Sequence, residues 1–266
     1  MPAMPTLFIS HGGPNIVLDD TPARDHLRGL SALLPARPRA IVVMSAHFET
    51  EGVAVVTDAA PGMIYDFGGF APELYQMVYP AKGDPELAED VLARLQAAGL
   101  EPHHIENRGY DHGTWTPLLL AFPDADIPVG QVSIDPERDA AWHYRVGEAL
   151  AGLREQGVLL VGSGHITHNL RAIIPAMRQG GTVDPALGAR IEAFTGWIAD
   201  RFSAGDREAL LDWVEQAPFV KDNHPTDEHL MPIFFAYGAA GEGAAAERVH
   251  DSRTLGHFAF DSYRFG

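Results

Sequence analysis

The chain has 266 residues, 46% hydrophobic and 21% charged, which is enough apolar sequence for one well-cored domain. Its 19 basic and 36 acidic residues give a net charge of −17, which disfavours nucleic acid and anionic membranes as partners. The chain has no cysteine, no apolar stretch of about 20 residues and no signal-like N-terminus, so we expect a cytoplasmic protein without disulfides or thiolate metal sites.

Short apolar runs alternate with amphipathic segments along the chain. The predicted strands resemble buried parallel strands and are Thr6–Ile9, Ala40–Ser45, Val53–Thr57, Ile127–Ile134 and Val158–Val161. The predicted helices are Glu86–Ala98, Asp139–Gln156, Pro185–Ala204, Arg207–Glu215 and Glu228–Tyr237. This alternation predicts a single α/β domain, residues 1–266, whose central, mostly parallel or mixed sheet is flanked by helices.

Two histidines follow the first two predicted strands. His11 stands between Ser10 and a Gly12-Gly13-Pro14 turn, and His47 follows the apolar run that ends at Ser45. If these strands are adjacent and parallel, both imidazoles lie at the carboxyl edge of the sheet. Neutral imidazole binds zinc, iron, nickel and copper. The pair therefore predicts a metal site at the carboxyl ends of the strands.

Two later segments offer further candidate ligands. His168 follows the last predicted strand and a Gly162-Ser163-Gly164 turn, and His165 precedes it by three residues and can share its face. We favour His168 at this position, because a helix-like segment begins directly after it. His229 lies five residues after His224, and either of these histidines can supply the third ligand.

Two segments are candidate walls of a pocket. His112, which stands beside a glycine, is either part of a capped turn or a pocket residue that binds a phenolate or steers a proton. The segment 60–83 is rich in glycine, proline and aromatic residues. It either walls a pocket or packs over a sheet edge.

Taken in order, these blocks resemble one family, the class III extradiol ring-cleavage dioxygenases of the 4,5-DOPA dioxygenase type. The blocks, with a weaker match in Leu255–Phe265, are Ser10-His11-Gly12-Gly13-Pro14, Ser45-Ala46-His47, Asp66-Phe67-Gly68-Gly69-Phe70, Tyr110-Asp111-His112-Gly113-Thr114-Trp115, Gly162-Ser163-Gly164, His168-Asn169-Leu170 and Glu228-His229 through Pro232. Each block is short, and the resemblance depends on their order and spacing over nearly the whole chain.

The resemblance implies a mononuclear non-haem Fe(II) site, in which Zn(II) is also found. By matching blocks, His11 and His47 are ligands and His229 completes the site, with Glu228 as the alternative because protocatechuate-cleaving relatives use glutamate there. His168 is implied as the acid/base histidine, which can also approach or ligate the metal.

The resemblance also implies the reaction and the substrate contacts. Both atoms of O2 enter a catechol, DOPA-like or related, and the ring opens beside the two hydroxyl groups. His112 is implied as a catalytic residue that contacts the substrate, and Phe67, Phe70 and Trp115 are expected to stack on the ring. The partners are thus a small aromatic diol and O2.

Two other functions fit part of the pattern. Three histidines with an open fourth position also activate water in zinc-dependent hydrolases. The chain has no His-Glu-x-x-His motif, however, and the carboxylates available as a base are Asp111, Asp227 and Glu228. A non-catalytic metal protein is the third possibility, and it requires a fully ligated ion.

Overall fold

The longest apolar runs of the chain form the centre of a mixed sheet. The structure is a computed structural model that describes residues 2–172, 174, 185–254 and 258–266. Within them, the strands are β1 (Thr6–Ser10), β2 (Ala40–Glu49), β3 (Ala54–Val56), β4 (His103–Ile105), β5 (Val129–Ile134), β6 (Val158–Gly164), β7 (Ala246–His250), β8 (Arg253–Thr254), β9 (Phe258–Ala259) and β10 (Ser262–Phe265). Part of the weakly matching segment, residues 255–257, lies outside the described residues.

The described strands form an eight-stranded sheet in the order β4-β3-β5-β2-β6-β1-β10-β7, and β8 pairs with β9 separately. The central strands β5, β2, β6 and β1 are parallel, whereas β3 and β10 join them antiparallel. The prediction of a single α/β domain with a mixed sheet is confirmed. The condition that β1 and β2 are adjacent is not met, because β6 lies between them and pairs with both.

The helices cover both faces of this sheet. They are α1 (Pro22–Arg28), α2 (Pro85–Ala97), α3 (His112–Ala121), α4 (Ala140–Leu150), α5 (Pro185–Ala204), α6 (Arg207–Leu211), α7 (Trp213–Gln216), α8 (Val220–Asn223) and α9 (Met231–Ala240). None of the helices described here is both long and apolar enough to cross a membrane.

Three helix predictions need correction. The helix predicted over 139–156 ends at Leu150 and continues as a 3-10 turn, and the helix predicted over 207–215 is divided into α6 and α7. The last helix begins at Met231, so Glu228 and His229 precede it. Helix α3 was not predicted, because it is buried almost all round and has no amphipathic period.

Alternating residues of the central strands enter two hydrophobic layers. Val42 and Met44 of β2 face the layer that contains α4, α5 and α9. Ile41 and Val43 of the same strand face the layer that contains α1 and α3. Because both faces are covered, β1, β2 and β6 each contain a continuous apolar run, and their polar side chains lie outside that run.

Candidate metal centre

Three histidines from distant parts of the chain converge beside the carboxyl ends of the central strands. His11 directly follows β1, His47 lies in the part of β2 that extends beyond its pairing with β6, and His229 precedes α9. One candidate ligand atom from each lies within 4.8 Å of the others. The Nε2 atoms of His11 and His47 are 3.1 Å apart. This spacing is compatible with three ligands of one metal ion.

Hydrogen bonds orient two of these rings. The Ser163 hydroxyl donates to the carbonyl oxygen of Gly113, so it accepts from Nδ1–H of His11 at 3.0 Å. Nδ1 of His229 lies 3.0 Å from Oε1 of Glu228, a carboxylate that can only accept. Both contacts place the proton on Nδ1 and leave the Nε2 lone pair free, which is the arrangement of a metal-binding histidine.

The three imidazoles are also held in the neutral form. Burial lowers the pKa of His11 and His229 well below the usual value, and nearby histidines lower both further. Burial and His112 lower the pKa of His47 to about 4. Neutral imidazole is the form that binds a metal, so no proton has to be removed near neutral pH.

Two glycines let the backbone approach this cluster. A Cβ atom at Gly113 would lie 2.5 Å from Oγ of Ser45 and 3.0 Å from Cδ2 of His47. A Cβ atom at Gly164 would lie only 2.1 Å from the carbonyl oxygen of His229, which also accepts from the backbone N–H of His165 at 2.8 Å. Both glycines therefore allow contacts that a side chain would block.

A buried carboxylate links β2 to α3 beneath the cluster. Asp111 accepts from Oγ of Ser45 at 2.7 Å, from the backbone N–H of Thr114 at 3.0 Å and from Nη2 of Arg108 at 2.8 Å. Nη2 of Arg108 also donates to the carbonyl oxygen of His47 at 3.2 Å. Sequence reasoning missed Ser45 and Arg108 as supporting residues, although an Asp directly before a helix and an Arg three residues earlier are signals that could have indicated them.

His112 and Asp66 form the wall beside His47. Nδ1 of His112 lies 3.0 Å from Oδ2 of Asp66, and its ring centroid is 4.1 Å from that of His47. Burial would raise the pKa of Asp66, but hydrogen bonds from the side chain and backbone of His112, with electrostatic interactions from His112 and His47, outweigh it and hold the pKa at about 2. The ionised carboxylate therefore orients His112 with Nδ1–H towards Asp66.

His168 lies against His229 on the opposite wall. Their rings stack with centroids 3.4 Å apart, and Nδ1 of His168 lies 3.6 Å from Oε1 of Glu228. The backbone N–H of His168 donates to the carbonyl oxygen of Asn223 at 2.7 Å. Burial opposes ionisation of Glu228, but hydrogen bonds with His168 and His229 dominate and hold the pKa of Glu228 well below its usual range.

A cavity of about 860 Å³ opens in front of these histidines. Phe67 lines it, as expected for a substrate contact. Trp115, the other aromatic residue predicted to contact the substrate, is fully buried behind Phe67 with ring centroids 6.3 Å apart and is absent from the described cavity wall. His165 does line the cavity, although the sequence favoured His168 over it.

The positions of His224 and His229 favour His229 as the candidate ligand. His224 is buried beside Phe194, and its Nε2 lies 2.9 Å from the carbonyl oxygen of Ile166. Of the two histidines, only His229 belongs to the described groups that could hold a metal ion.

Known proteins resemble this chain over nearly its full length. A family model described as the catalytic LigB subunit of aromatic ring-opening dioxygenase matches residues 5–266. A 4,5-DOPA dioxygenase extradiol of Beta vulgaris is 38% identical over 263 residues, covering 98% of this chain and 96% of that protein. A 4,5-DOPA dioxygenase extradiol of Escherichia coli K12 is 39% identical over 247 residues, covering 89% of this chain and 85% of that protein.

A solved structure shares the fold of this chain. The crystal structure of an uncharacterized protein from Escherichia coli K12 matches with a TM-score of 0.80 and 31% identity, covering 99% of this chain and all of that chain. The similarities give no support to a zinc-dependent hydrolase, and they confirm the resemblance drawn from the sequence. The chain therefore belongs to the LigB family of aromatic ring-opening dioxygenases and is an enzyme of the extradiol type.

Proposed function

We propose that this enzyme opens the ring of a catechol, DOPA or a related diol, at a mononuclear Fe(II) ion held by His11, His47 and His229. The observation that carries the proposal is the convergence of these three neutral imidazoles at one cavity. Zn(II) fits the same donors and can occupy the isolated protein. The metal, when bound by three imidazoles, offers open positions and positive charge to both diol oxygens and to O2.

His168 is proposed as the acid/base residue. Its ring borders the cavity, and its Nδ1 lies 3.6 Å from the carboxylate of Glu228, which stabilises the imidazolium formed when the ring takes a proton from a diol hydroxyl. The same proton can return to an oxygen of the substrate as the ring opens. His168 also belongs, with Glu228 and His229, to a group that could hold a metal ion, so we retain the alternative that it is a further ligand.

His112 is proposed to contact the diol. Because Nδ1–H of His112 donates to Asp66, its Nε2 is available to accept a hydrogen bond from a substrate hydroxyl. Phe67 and Phe70 line the cavity and are proposed to pack on the aromatic ring. Trp115 is assigned a supporting position behind Phe67 instead of the substrate contact predicted from the sequence.

The remaining sequence predictions stay proposals. Residues 1–266 are proposed to act as one catalytic domain, with a small aromatic diol and O2 as partners. The cytoplasmic location and the absence of nucleic acid and membrane partners remain predictions.

Anaerobic reconstitution tests the proposed function. Metal-free protein is loaded with Fe(II) or with Zn(II), then mixed with oxygenated buffer and DOPA, caffeate or protocatechuate. We expect oxygen uptake and a yellow ring-opened product with Fe(II) alone. No uptake with any diol, together with ester hydrolysis by the Zn(II) protein, would contradict the proposal.

A further inference from the structure

The mouth of the cavity is lined by apolar side chains that are exposed to solvent. Phe70, Leu170 and Ile174 line the cavity and are 38%, 40% and 38% exposed. The histidines of the metal centre are buried much more deeply, with His11 1% and His229 4% exposed. The metal centre therefore lies at the closed end of the cavity, and the exposed apolar side chains lie at its opening.

These exposed side chains come from distant parts of the chain. Phe70 belongs to the segment between β3 and α2, whereas Leu170 and Ile174 follow β6. Exposed apolar residues are ordinary when they are scattered, but a set that converges on one cavity indicates a binding surface. Val214, on α7, is 43% exposed and does not belong to the described cavity wall. It is therefore a matched reference for an exposed apolar residue outside the site.

Aromatic rings connect this opening with the metal centre. On one side of the cavity, Phe67 lies between His112 and Phe70, with ring centroids 5.9 and 5.6 Å away. A second pair of cavity residues, Phe258 and Phe260, has ring centroids 6.4 Å apart. The cavity therefore has an apolar lining that extends outward from the histidines.

Two glycines show that both sets of rings lie beside the same proposed ligand. Gly12 and Gly13 directly follow His11. A Cβ atom at Gly12 would lie 2.7 Å from Cε1 of Phe260, and a Cβ atom at Gly13 would lie 3.9 Å from the ring of Phe70. The turn after His11 is thus in contact with aromatic rings from both sets.

The cavity also has more room than a diol ring requires. Its volume of about 860 Å³ lies in the range that holds drug-sized ligands, whereas a catechol is a single six-membered ring with two hydroxyl groups. With the diol at the metal centre, the remaining space extends along the aromatic rings towards the opening. A substituent on the diol ring would fill this space.

The charges of the cavity indicate which substituent fits. Among the described residues that line the cavity, the acidic side chains are Asp19 and Asp66, and there is no lysine or arginine. Asp66 contacts His112, and Asp19 accepts a hydrogen bond from the side chain of Asn15. An anionic substituent would therefore meet like charge without a compensating cation, whereas an uncharged one would not.

We propose that Phe70, Leu170, Ile174 and Phe258, here the apolar rim, bind an uncharged apolar substituent of the diol. The inference rests on the proposed function, in which the two diol oxygens bind at the three-histidine centre. Each methylene group that is buried from water raises affinity by up to about fourfold. The apolar rim therefore favours catechols with a long apolar substituent over catechols with an anionic one.

A matched series of ligands tests this role. The probes are 4-methylcatechol, 4-hexylcatechol and 6-(3,4-dihydroxyphenyl)hexanoate, which carry a short apolar, a long apolar and a long anionic substituent. Dissociation constants are measured anaerobically by calorimetry on the Fe(II)-loaded wild type, Leu170→Lys, Leu170→Gln and the control Val214→Lys. Metal content, melting temperature and sedimentation are measured for each variant.

We expect the wild type to bind 4-hexylcatechol about tenfold or more tighter than either of the other two probes. Leu170→Lys should weaken binding of 4-hexylcatechol and strengthen binding of the hexanoate, each by about threefold or more, because the ammonium group replaces apolar surface and offsets the carboxylate. Leu170→Gln should weaken binding of 4-hexylcatechol without strengthening that of the hexanoate. Val214→Lys should change each dissociation constant by less than about twofold.

The proposal is overturned if the wild type binds 4-hexylcatechol no tighter than 4-methylcatechol, or binds the hexanoate as tightly as 4-hexylcatechol. It is also overturned if Leu170→Lys and Val214→Lys change the dissociation constants alike. A Leu170→Lys variant that changes only the oligomeric state in sedimentation would assign the apolar rim to a second copy of this chain, and that result also overturns the proposal.

The same samples separate this inference from the proposed function. Oxygen is admitted after the binding measurements, and ring opening is followed by absorbance. If the expected binding pattern is found but no ring is opened, the proposed function fails and the role of the apolar rim stands. If 4-methylcatechol is opened but 4-hexylcatechol is not preferred in binding, the role of the apolar rim fails and the proposed function stands.

Discussion

The two halves of the metal centre are built in different ways. His11, His47 and His112, here the strand half, lie at the ends of β1, in β2 and at the start of α3. His168, Glu228 and His229, here the loop half, lie on the segments that follow β6 and precede α9. In the strand half, side chains are fixed by side chains, since Ser163 holds His11 and Asp66 holds His112.

In the loop half, backbone hydrogen bonds add to the contact between the side chains of His229 and Glu228. The carbonyl oxygen of His229 accepts from the N–H of His165, and the N–H of His168 donates to Asn223. Gly164 lets this backbone lie directly against β6. The comparison teaches that the strand half depends on sheet register and on polar side chains, whereas the loop half depends on close backbone packing.

The largest effect is expected from removing a proposed ligand of the strand half. His47→Ala should weaken metal binding by more than about a hundredfold and abolish ring opening, because the loss of a ligand exceeds that of a supporting residue. Metal content after dialysis measures this. His103→Ala, at an exposed histidine in β4, is the control and should keep its metal. Full metal retention by His47→Ala would refute its role as a ligand.

In the loop half, a substitution of His168 distinguishes the acid/base role from metal binding. His168→Ala should lower kcat by about 10²–10⁴-fold while most of the metal remains, because the acid/base group is lost and the three proposed ligands stay. Steady-state kinetics and metal analysis of the same sample are needed. Loss of metal in parallel with activity would instead make His168 a ligand.

The glycines test the two kinds of support directly. Gly164→Ala should destabilise the protein by about 1–3 kcal/mol and weaken metal binding, because the new methyl group meets the backbone of His229. Gly113→Ala should destabilise the protein less than Gly164→Ala, because the new methyl group would meet the side chains of Ser45, His47 and His11. Gly130→Ala in β5 has ordinary contacts and is the control. Equal denaturation midpoints for all three variants would contradict the comparison.

The buried carboxylate should affect the strand half selectively. Asp111→Ala removes the cap of α3 and one hydrogen-bond acceptor each from Ser45 and Arg108, so we expect a loss of about 1–2 kcal/mol in unfolding free energy. Asp111→Asn keeps the capping oxygen, so its free energy of unfolding should fall by less than that of Asp111→Ala. Denaturant titration of both variants measures the difference, and a larger loss for the asparagine variant would argue against the capping role.

His143 lies outside both halves and gives a baseline for acid sensitivity. Burial lowers the pKa of His143 from 6.5 to about 4 in the folded protein. As the pH falls, His143 is therefore protonated at a higher pH in the unfolded chain than in the folded protein, and the free energy of unfolding decreases below about pH 6.5. His143 alone should lower the free energy of unfolding by about 0.7 kcal/mol between pH 7 and pH 6. Metal-free His143→Gln should show a correspondingly weaker pH dependence of denaturation. An unchanged pH dependence would exclude this contribution.

The difference between the strand half and the loop half also explains which parts of the structure could be predicted from the sequence. Strands β1, β2 and β6 have continuous apolar runs because both faces are covered, and they are recognisable for that reason. The histidines that follow β1 and lie in β2 were therefore assigned to one edge correctly, although β6 was not placed between them.

The loop half could not be predicted from local pattern. The choice between His224 and His229 depends on long-range packing, since His224 bonds to Ile166 while His229 packs against Gly164. Helix α3 has no amphipathic period because it is buried almost all round, so the burial of Trp115 was also missed. The order of the sequence blocks indicated the family despite these local errors.

The most direct test of ring opening is an isotope experiment. The Fe(II)-loaded protein is given ¹⁸O2 and DOPA in unlabelled water, and the first ring-opened product is trapped and analysed by mass spectrometry. Cleavage by an extradiol dioxygenase predicts that both labelled atoms enter the product and that the bond broken lies beside the diol. A product without label from O2, or a bond broken between the two hydroxyl-bearing carbons, would contradict this account.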